Sequence, residues 1–124
     1  MKVLLSIKPE FVEKIFSGEK KYEYRKVIFK KDDVDTIVVY STMPEGKIVG
    51  EFKIEKIIID CPEAIWEATA DGSGISSVFF KQYFGDRLEG YAIKISNPIL
   101  YDTPIDPKKE YESFFAPQSF CYMS

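Results

Sequence analysis

Hydrophobic residues recur along the chain with two different periods, and these periods predict its helices and strands. Apolar positions spaced by three and four predict a helix with one buried face, which begins at Pro9 and ends at Gly18. Alternating or continuous apolar runs predict strands at Val3–Ile7, Lys21–Phe29, Asp35–Ser41, Lys47–Ile59, Gly90–Ser96 and Ile99–Tyr101. Further helices are predicted at Pro62–Thr69, Ser76–Phe84 and Lys108–Phe115.

The order of these elements predicts one α+β domain over residues 1–124. Because neighbouring strands are expected to be mostly antiparallel, the sheet should form a small mixed β-barrel or partial barrel flanked by helices. The last segment, Ala116–Ser124, contains large rings that are unusual in a frayed terminus. We therefore expect it to fold back on the domain and to pack Phe120, with Tyr122 as a second candidate.

Composition narrows the chemistry that this fold can carry. The 124 residues include no histidine, which excludes Ser-His-Asp and Cys-His nucleophiles and most zinc sites. The net charge of −3 gives no overall basic field, so RNA binding would need a local positive patch. The two cysteines have no metal-ligand spacing, and no apolar run is long enough for a membrane span. These features predict a cytoplasmic protein with reduced thiols and with no metal, cofactor or membrane partner.

Residues 18–25, Gly-Glu-Lys-Lys-Tyr-Glu-Tyr-Arg, place several charges at the start of a predicted strand. Because strand residues alternate between faces, Glu23 and Arg25 share one face, roughly 6–7 Å apart. There they can hold one ligand together, or they can pair and simply close a seam of the barrel. Tyr22 and Tyr24 share the opposite face, where they either belong to the core or stack on bases.

The pattern Gly-x-Lys-x-x-Glu-x-Arg, following directly on a helix, resembles the signature of the ASCH domain, a small RNA-associated module of the PUA-like superfamily. The resemblance covers nearly the whole chain and includes three further segments, Leu4–Pro9, Val39–Thr42 and Gly46–Phe52. It implies a PUA-like barrel with a cleft between the first helix, the signature strand and the barrel wall. It also implies that Lys20, Glu23 and Arg25 line this cleft.

Five more positions are candidates for the same cleft: Lys8, Ser41, Gly50, Gln118 and Ser119. Lys8 lies at a strand-to-helix junction and would add a second cation. Ser41 ends a buried strand, where its hydroxyl either enters a pocket or caps a turn. Gly50 either admits a ligand to the backbone or marks a bulge. Gln118 and Ser119 reach the cleft if the last segment folds back.

These residues predict binding of RNA, a nucleotide or a nucleoside in the cleft. Lys20 and Arg25 would contact phosphate or carbonyl oxygens, and Glu23 a base amino group. The resemblance implies a link to translation or to transcription regulation.

Two other functions remain open at the level of sequence. The first is a small hydrolase acting on RNA or on N4-acylated cytidine, with Lys20 and Glu23 as catalytic residues. In ASCH-like amidohydrolases a nucleophilic threonine occupies the position of Glu23, so acylated cytidine is the poorer match. The second is a protein-interaction module with a vestigial cleft, its partners unspecified. A positive cleft in an acidic shell would favour a nucleic-acid ligand, and a neutral cleft the interaction module.

Overall fold

The computed structural model of the chain describes residues 1–111 and 114–123. Its strands are β1 (Lys2–Ile7), β2 (Tyr22–Arg25), β3 (Thr36–Ser41), β4 (Lys47–Asp60), β5 (Gly90–Ile105) and β6 (Phe120–Met123). Its helices are α1 (Pro9–Ser17), α2 (Pro62–Thr69), α3 (Ser77–Phe84) and α4 (Pro107–Glu110), and a 3-10 turn follows α2 at Ala70–Gly72. Helix α1 ends as predicted, where Gly18 takes a left-handed φ of 87°.

The six strands of the described residues form one sheet in the order β2-β5-β4-β3-β1-β6, which curls into a half-barrel. Strands β1 and β3 are parallel, whereas the other neighbouring pairs are antiparallel. The predicted α+β class, a small mixed and mostly antiparallel β-barrel flanked by helices, is therefore confirmed.

The main core lies inside the half-barrel and fixes the position of α1. Val3, Val39 and Phe52 of the sheet pack in one cluster with Val12 and Ile15 of the helix. Full burial of such a side chain contributes about 1.5–3 kcal/mol. Every residue of β3 is buried, as its continuous apolar run predicts.

A second cluster holds α3 against β2. The Tyr24 ring meets Phe80 and Phe84 edge to face, with centroid distances of 5.0 and 6.3 Å. Its hydroxyl donates to Thr69 Oγ1 at 2.7 Å, because the threonine O–H is itself donated to a backbone carbonyl of α2. Burial raises the pKa of Tyr24 to about 12. Tyr24 is therefore a core residue, and Tyr22 packs beside the same cluster.

Two predicted strands form a single strand in the structure. Instead of turning at Asn97 and Pro98, the chain continues as β5 from Gly90 to Ile105. Asn97 has a φ of 48°, in the left-handed region that asparagine tolerates, and the register between β4 and β5 shifts at three places. The predicted break was wrong because β4 is long enough to pair with both halves, so the turn residues are absorbed in bulges.

Two other elements are shorter than predicted. Strand β2 ends at Arg25 and not at Phe29, because Arg25 pairs with Tyr91 and β5 begins only one residue before it. Helix α4 ends at Glu110 and not at Phe115. Of that predicted helix, residues 112 and 113 lie outside the described residues, as does position 124 of the last segment.

The last segment folds back on the domain, as predicted. Strand β6 pairs antiparallel with β1, and the Phe120 ring packs on the main core, 6.0 Å from the ring of Phe29. Tyr122 is 37% exposed. Its hydroxyl accepts hydrogen bonds from the backbone amides of Lys30 and Lys31. This return of the chain brings residues 117–119 to the edge of the half-barrel.

Candidate functional site

One pocket lies where the end of β1, the start of α1, strand β2, helix α3 and the segment before β6 come together. Its volume is about 450 Å³. Six of the predicted site residues line it: Lys8, Lys20, Glu23, Arg25, Gln118 and Ser119. The pocket therefore combines residues from both ends of the chain.

The pocket is strongly positive although the chain is acidic. Five cationic side chains line it, Lys8, Lys20, Arg25, Lys26 and Arg87, against the carboxylate of Glu23 among the residues described. The chain as a whole has a net charge of −3. Lys8, Lys26 and Arg87 are exposed, whereas Lys20, Glu23 and Arg25 are buried. An anion entering from solvent meets the exposed cations first.

Arg25 joins the two edges of the half-barrel. Its Nη1 donates to Glu23 Oε2 at 3.2 Å and to the Ser6 carbonyl at 3.4 Å. Its Nη2 donates to the Ser119 carbonyl at 3.1 Å and to Ser119 Oγ at 2.9 Å. These bonds occupy all four N–H groups of the two terminal nitrogens. Arg25 thus ties β2 to β1 and to the last segment, and its guanidinium is largely committed within the protein.

Ser6 holds the last segment in place from the other side. Its hydroxyl donates to the Pro117 carbonyl at 2.7 Å, and its backbone amide donates to the Ser119 carbonyl at 3.3 Å. Gln118 between them is exposed. The segment therefore forms a wall of the pocket and presents Gln118 and Ser119 to it.

Lys20 lies deep in the pocket wall, with only 3% of its surface exposed. Its Nζ donates to the Ser73 carbonyl at 3.1 Å and lies 4.7 Å from the ring centroid of Tyr24 and 5.5 Å from that of Phe11. Burial lowers the pKa of Lys20, and the nearby Glu23 carboxylate opposes this shift. The Lys20 ammonium therefore loses its proton more readily than an exposed lysine does.

The aromatic wall of the pocket comes from α3 and was not predicted. Phe79 and Tyr83 are four residues apart on one face of the helix, and Arg87 follows four residues later. The Phe79 ring meets Phe11 edge to face at 5.4 Å, and Lys26 Nζ lies 4.7 Å from the Tyr83 ring centroid. The sequence did carry a signal for this wall. Phe79 and Tyr83 repeat at a spacing of four, directly beside Phe80 and Phe84, the buried positions of the same helix.

Two predicted site residues lie away from the pocket. Ser41 is fully buried, and its hydroxyl has no hydrogen-bond partner among residues 1–111 and 114–123. Gly50 is packed by the chain itself, since a Cβ there would lie 2.6 Å from Phe16 Cζ and would also meet the Ile99 carbonyl. The glycine therefore permits a close approach of α1 and β5 at that point of β4.

The described part of the chain offers no cluster of three or more His, Cys, Asp or Glu side chains that could hold a metal ion. Among the described helices, none has the length and apolar character needed to cross a membrane.

Comparison with known proteins supports one family. The ASCH domain profile matches residues 5–114. The crystal structure of ASCH from Zymomonas mobilis superposes with a TM-score of 0.89 at 25% identity, covering 99% of this chain and 87% of that one. A curated relative from Zymomonas mobilis, named ASCH domain-containing ribonuclease, is 25% identical over 116 residues, which are 92% of this chain and 78% of that protein.

Two longer relatives from Ureaplasma parvum match the same length of chain. A protein named ATP synthase subunit alpha is 30% identical over 122 residues, and one named large ribosomal subunit protein uL22 is 28% identical over 125 residues. Each match covers 98% of this chain, but only 15% and 39% of those proteins, so the chain spans well under half of their length. The signature residues, the half-barrel and the family profile agree, and the chain belongs to the ASCH domain family.

Proposed function

We propose that the chain binds single-stranded RNA, or a free nucleotide, with one nucleotide held in the pocket of Lys8, Glu23 and Arg25. The observation that carries this proposal is the positive charge of the pocket on an acidic chain. Such a local field attracts phosphate without making the whole surface basic. A volume of about 450 Å³ lies within the usual range for small-ligand pockets. This positive charge favours a pocket that binds an anionic ligand over a cleft that has lost its ligand.

The exposed residues of the pocket would contact the phosphate of the nucleotide, and the buried residues would contact its base. Lys8, Lys26 and Arg87 are free to contact phosphate oxygens, because their side chains are exposed at the pocket mouth. The ring of Phe79 offers a surface on which a base can stack, whereas Lys26 lies over the ring of Tyr83. Lys20 and Glu23 lie deeper and would reach polar groups of the base, while Arg25 mainly positions Glu23 and the last segment.

The experiment is fluorescence anisotropy with short labelled single-stranded RNAs at two salt concentrations. The Lys26→Ala/Arg87→Ala variant should bind more weakly and should lower the slope of log affinity against log salt by about 0.7 for each lost phosphate contact. The matched control is Lys56→Ala/Lys109→Ala, which removes the same charge from exposed positions outside the pocket. Equal losses in both variants would refute the assignment of RNA to this pocket.

A place in translation is the biological context that we propose. It is supported by the match to a protein named as a ribosomal subunit, and it implies a cytoplasmic location. The proposal takes residues 1–124 as one domain, of which the family profile matches residues 5–114.

Hydrolysis is the second candidate, and the environment of Lys20 favours it. A buried lysine with a lowered pKa can act as a general base, and the Ser119 hydroxyl lies in the same pocket. The relative named as a ribonuclease also supports RNA as the substrate. If this is correct, RNA incubated with the protein should be cleaved, and Lys20→Met should abolish cleavage while keeping the circular dichroism spectrum. If RNA is neither bound nor cleaved, N4-acylated cytidines are the next compounds to test.

A further inference from the structure

A second concave surface, the α1–β5 groove, has the opposite charge. It has a volume of about 640 Å³ and lies between α1 and the second half of β5. Its rim carries the exposed carboxylates of Glu13, Glu45 and Asp102. Among the described residues that line it, none is a lysine or an arginine. The groove therefore repels RNA and phosphate and attracts cationic groups.

The floor of the groove is apolar and is supplied by α1. Pro9, Val12 and Phe16 share one face of the helix at spacings of three and four, and Val49 of β4 lies beside them. Phe16 is only partly buried, although it packs against the main core. Apolar side chains of a partner can thus be buried on this preformed floor, and α1 and β4 need not rearrange.

The other wall is an edge of the sheet. Strand β5 pairs with β2 only through Tyr91–Lys94, and the last bond to that side is from the Ile95 amide to the Lys21 carbonyl. From residue 96 to Ile105, β4 is the remaining neighbour of β5 in the described chain. The groove touches residues 100–102 in succession. Because successive strand residues point to opposite faces, a groove that contacts all three runs along the free edge.

This edge is apolar and is limited by proline at both ends. Leu100 and Ile99 are 60% and 54% exposed, which is unusual for large aliphatic side chains on a strand. Pro98 and Pro104 lack an N–H group, and proline on an edge strand discourages uncontrolled edge-to-edge association. Of the five residues between them, Ile99 and Leu100 pair with β4 on one side. The side away from β4 has no strand partner among the described residues, which leaves room for a short added strand.

We propose that the α1–β5 groove binds an extended segment of a partner protein that carries lysine or arginine between small apolar residues. The segment adds to the free edge of β5 by backbone hydrogen bonds. Its cationic side chains pair with Glu13, Glu45 and Asp102, and its apolar side chains cover Leu100 and the floor of the groove. This site is separate from the RNA pocket, so the protein can hold both ligands at once.

The test uses a fluorescein-labelled peptide of alternating lysine and valine as the probe. It should bind saturably, and Glu13→Gln/Asp102→Asn should weaken it by about two- to fivefold for each carboxylate removed, as expected for exposed ion pairs. The matched control, Glu63→Gln/Glu67→Gln, removes two exposed carboxylates from α2 and should bind like the wild type. A peptide with the same sequence and methylated backbone nitrogens keeps the side chains and should bind more weakly.

Several outcomes would overturn the proposal. These are no saturable binding up to millimolar peptide, equal weakening by the α2 control, or equal binding of a glutamate–valine peptide. Unchanged binding of the methylated peptide would overturn strand addition. A dimer in analytical ultracentrifugation that Leu100→Lys dissociates would assign the groove to a second copy of the chain and not to a basic partner.

Discussion

Replacing Arg25 with methionine should destabilise the protein strongly, because its partners are buried and depend on it. The guanidinium donates to Glu23, to the Ser6 carbonyl and to Ser119, and only 11% of its side-chain surface is exposed. Without it, the Glu23 carboxylate remains in a site that is 8% exposed, and no other cation of the described residues forms an ion pair with it. The last segment also loses its bonds to β2.

The size of the loss follows from this geometry. Breaking a buried ion pair by removing one partner costs about 3–5 kcal/mol, most of it from the uncompensated charge that remains. Removing both charges avoids that penalty, so Glu23→Leu/Arg25→Met should be more stable than Arg25→Met by most of that amount. A domain of this size has a total stability of roughly 5–15 kcal/mol, so the single variant loses a large fraction of it.

Urea denaturation of the wild type, the two single variants and the double variant measures these differences as a thermodynamic cycle. Amide hydrogen exchange in β6 gives an independent readout, since its strand follows directly on Ser119. Exchange at Phe120–Met123 should quicken in Arg25→Met before the main core opens. A loss below about 1 kcal/mol in Arg25→Met, or a double variant no more stable than it, would refute the role of Arg25 as the tie between the barrel edges.

Three further predictions concern single residues. The lowered pKa of Lys20 means that the unfolded chain holds this proton more tightly, so stability should rise as pH increases from the folded-state pKa toward 10.5. Urea midpoints should show this rise in the wild type and not in Lys20→Met, and parallel pH curves would contradict it. Gly50→Ala should cost about 1–3 kcal/mol in urea unfolding, because its Cβ would meet the Phe16 ring and the Ile99 carbonyl. Unchanged stability would mean that the Phe16 ring and strand β5 shift to make room for the Cβ. Ser41→Ala should leave thermal stability unchanged or raise it by up to about 1 kcal/mol, since the buried hydroxyl has no partner in the described chain. A clear loss of melting temperature would show that the hydroxyl is bonded.

Local patterns in the sequence determined most of the helices and strands, and they also placed the Glu23 and Arg25 side of the pocket. The helix from Pro9 and the buried strand ending at Ser41 follow from spacing and apolar runs, which depend on neighbours within a few residues. The alternation of the signature strand likewise placed Glu23 and Arg25 on one face, where they form the ion pair at 3.2 Å.

What tertiary structure decided is which distant residues share the pocket. Arg25 bonds to Ser119, 94 positions away, and Arg87 joins the pocket from a segment that carries no motif. The continuity of β5 and the close packing at Gly50 likewise depend on partners from other strands and from α1. Periodicity reports which face of an element is buried, but not what it is buried against. The pairing of faces is selected only when the whole chain packs at once, because each such contact costs loop entropy that the complete core must offset.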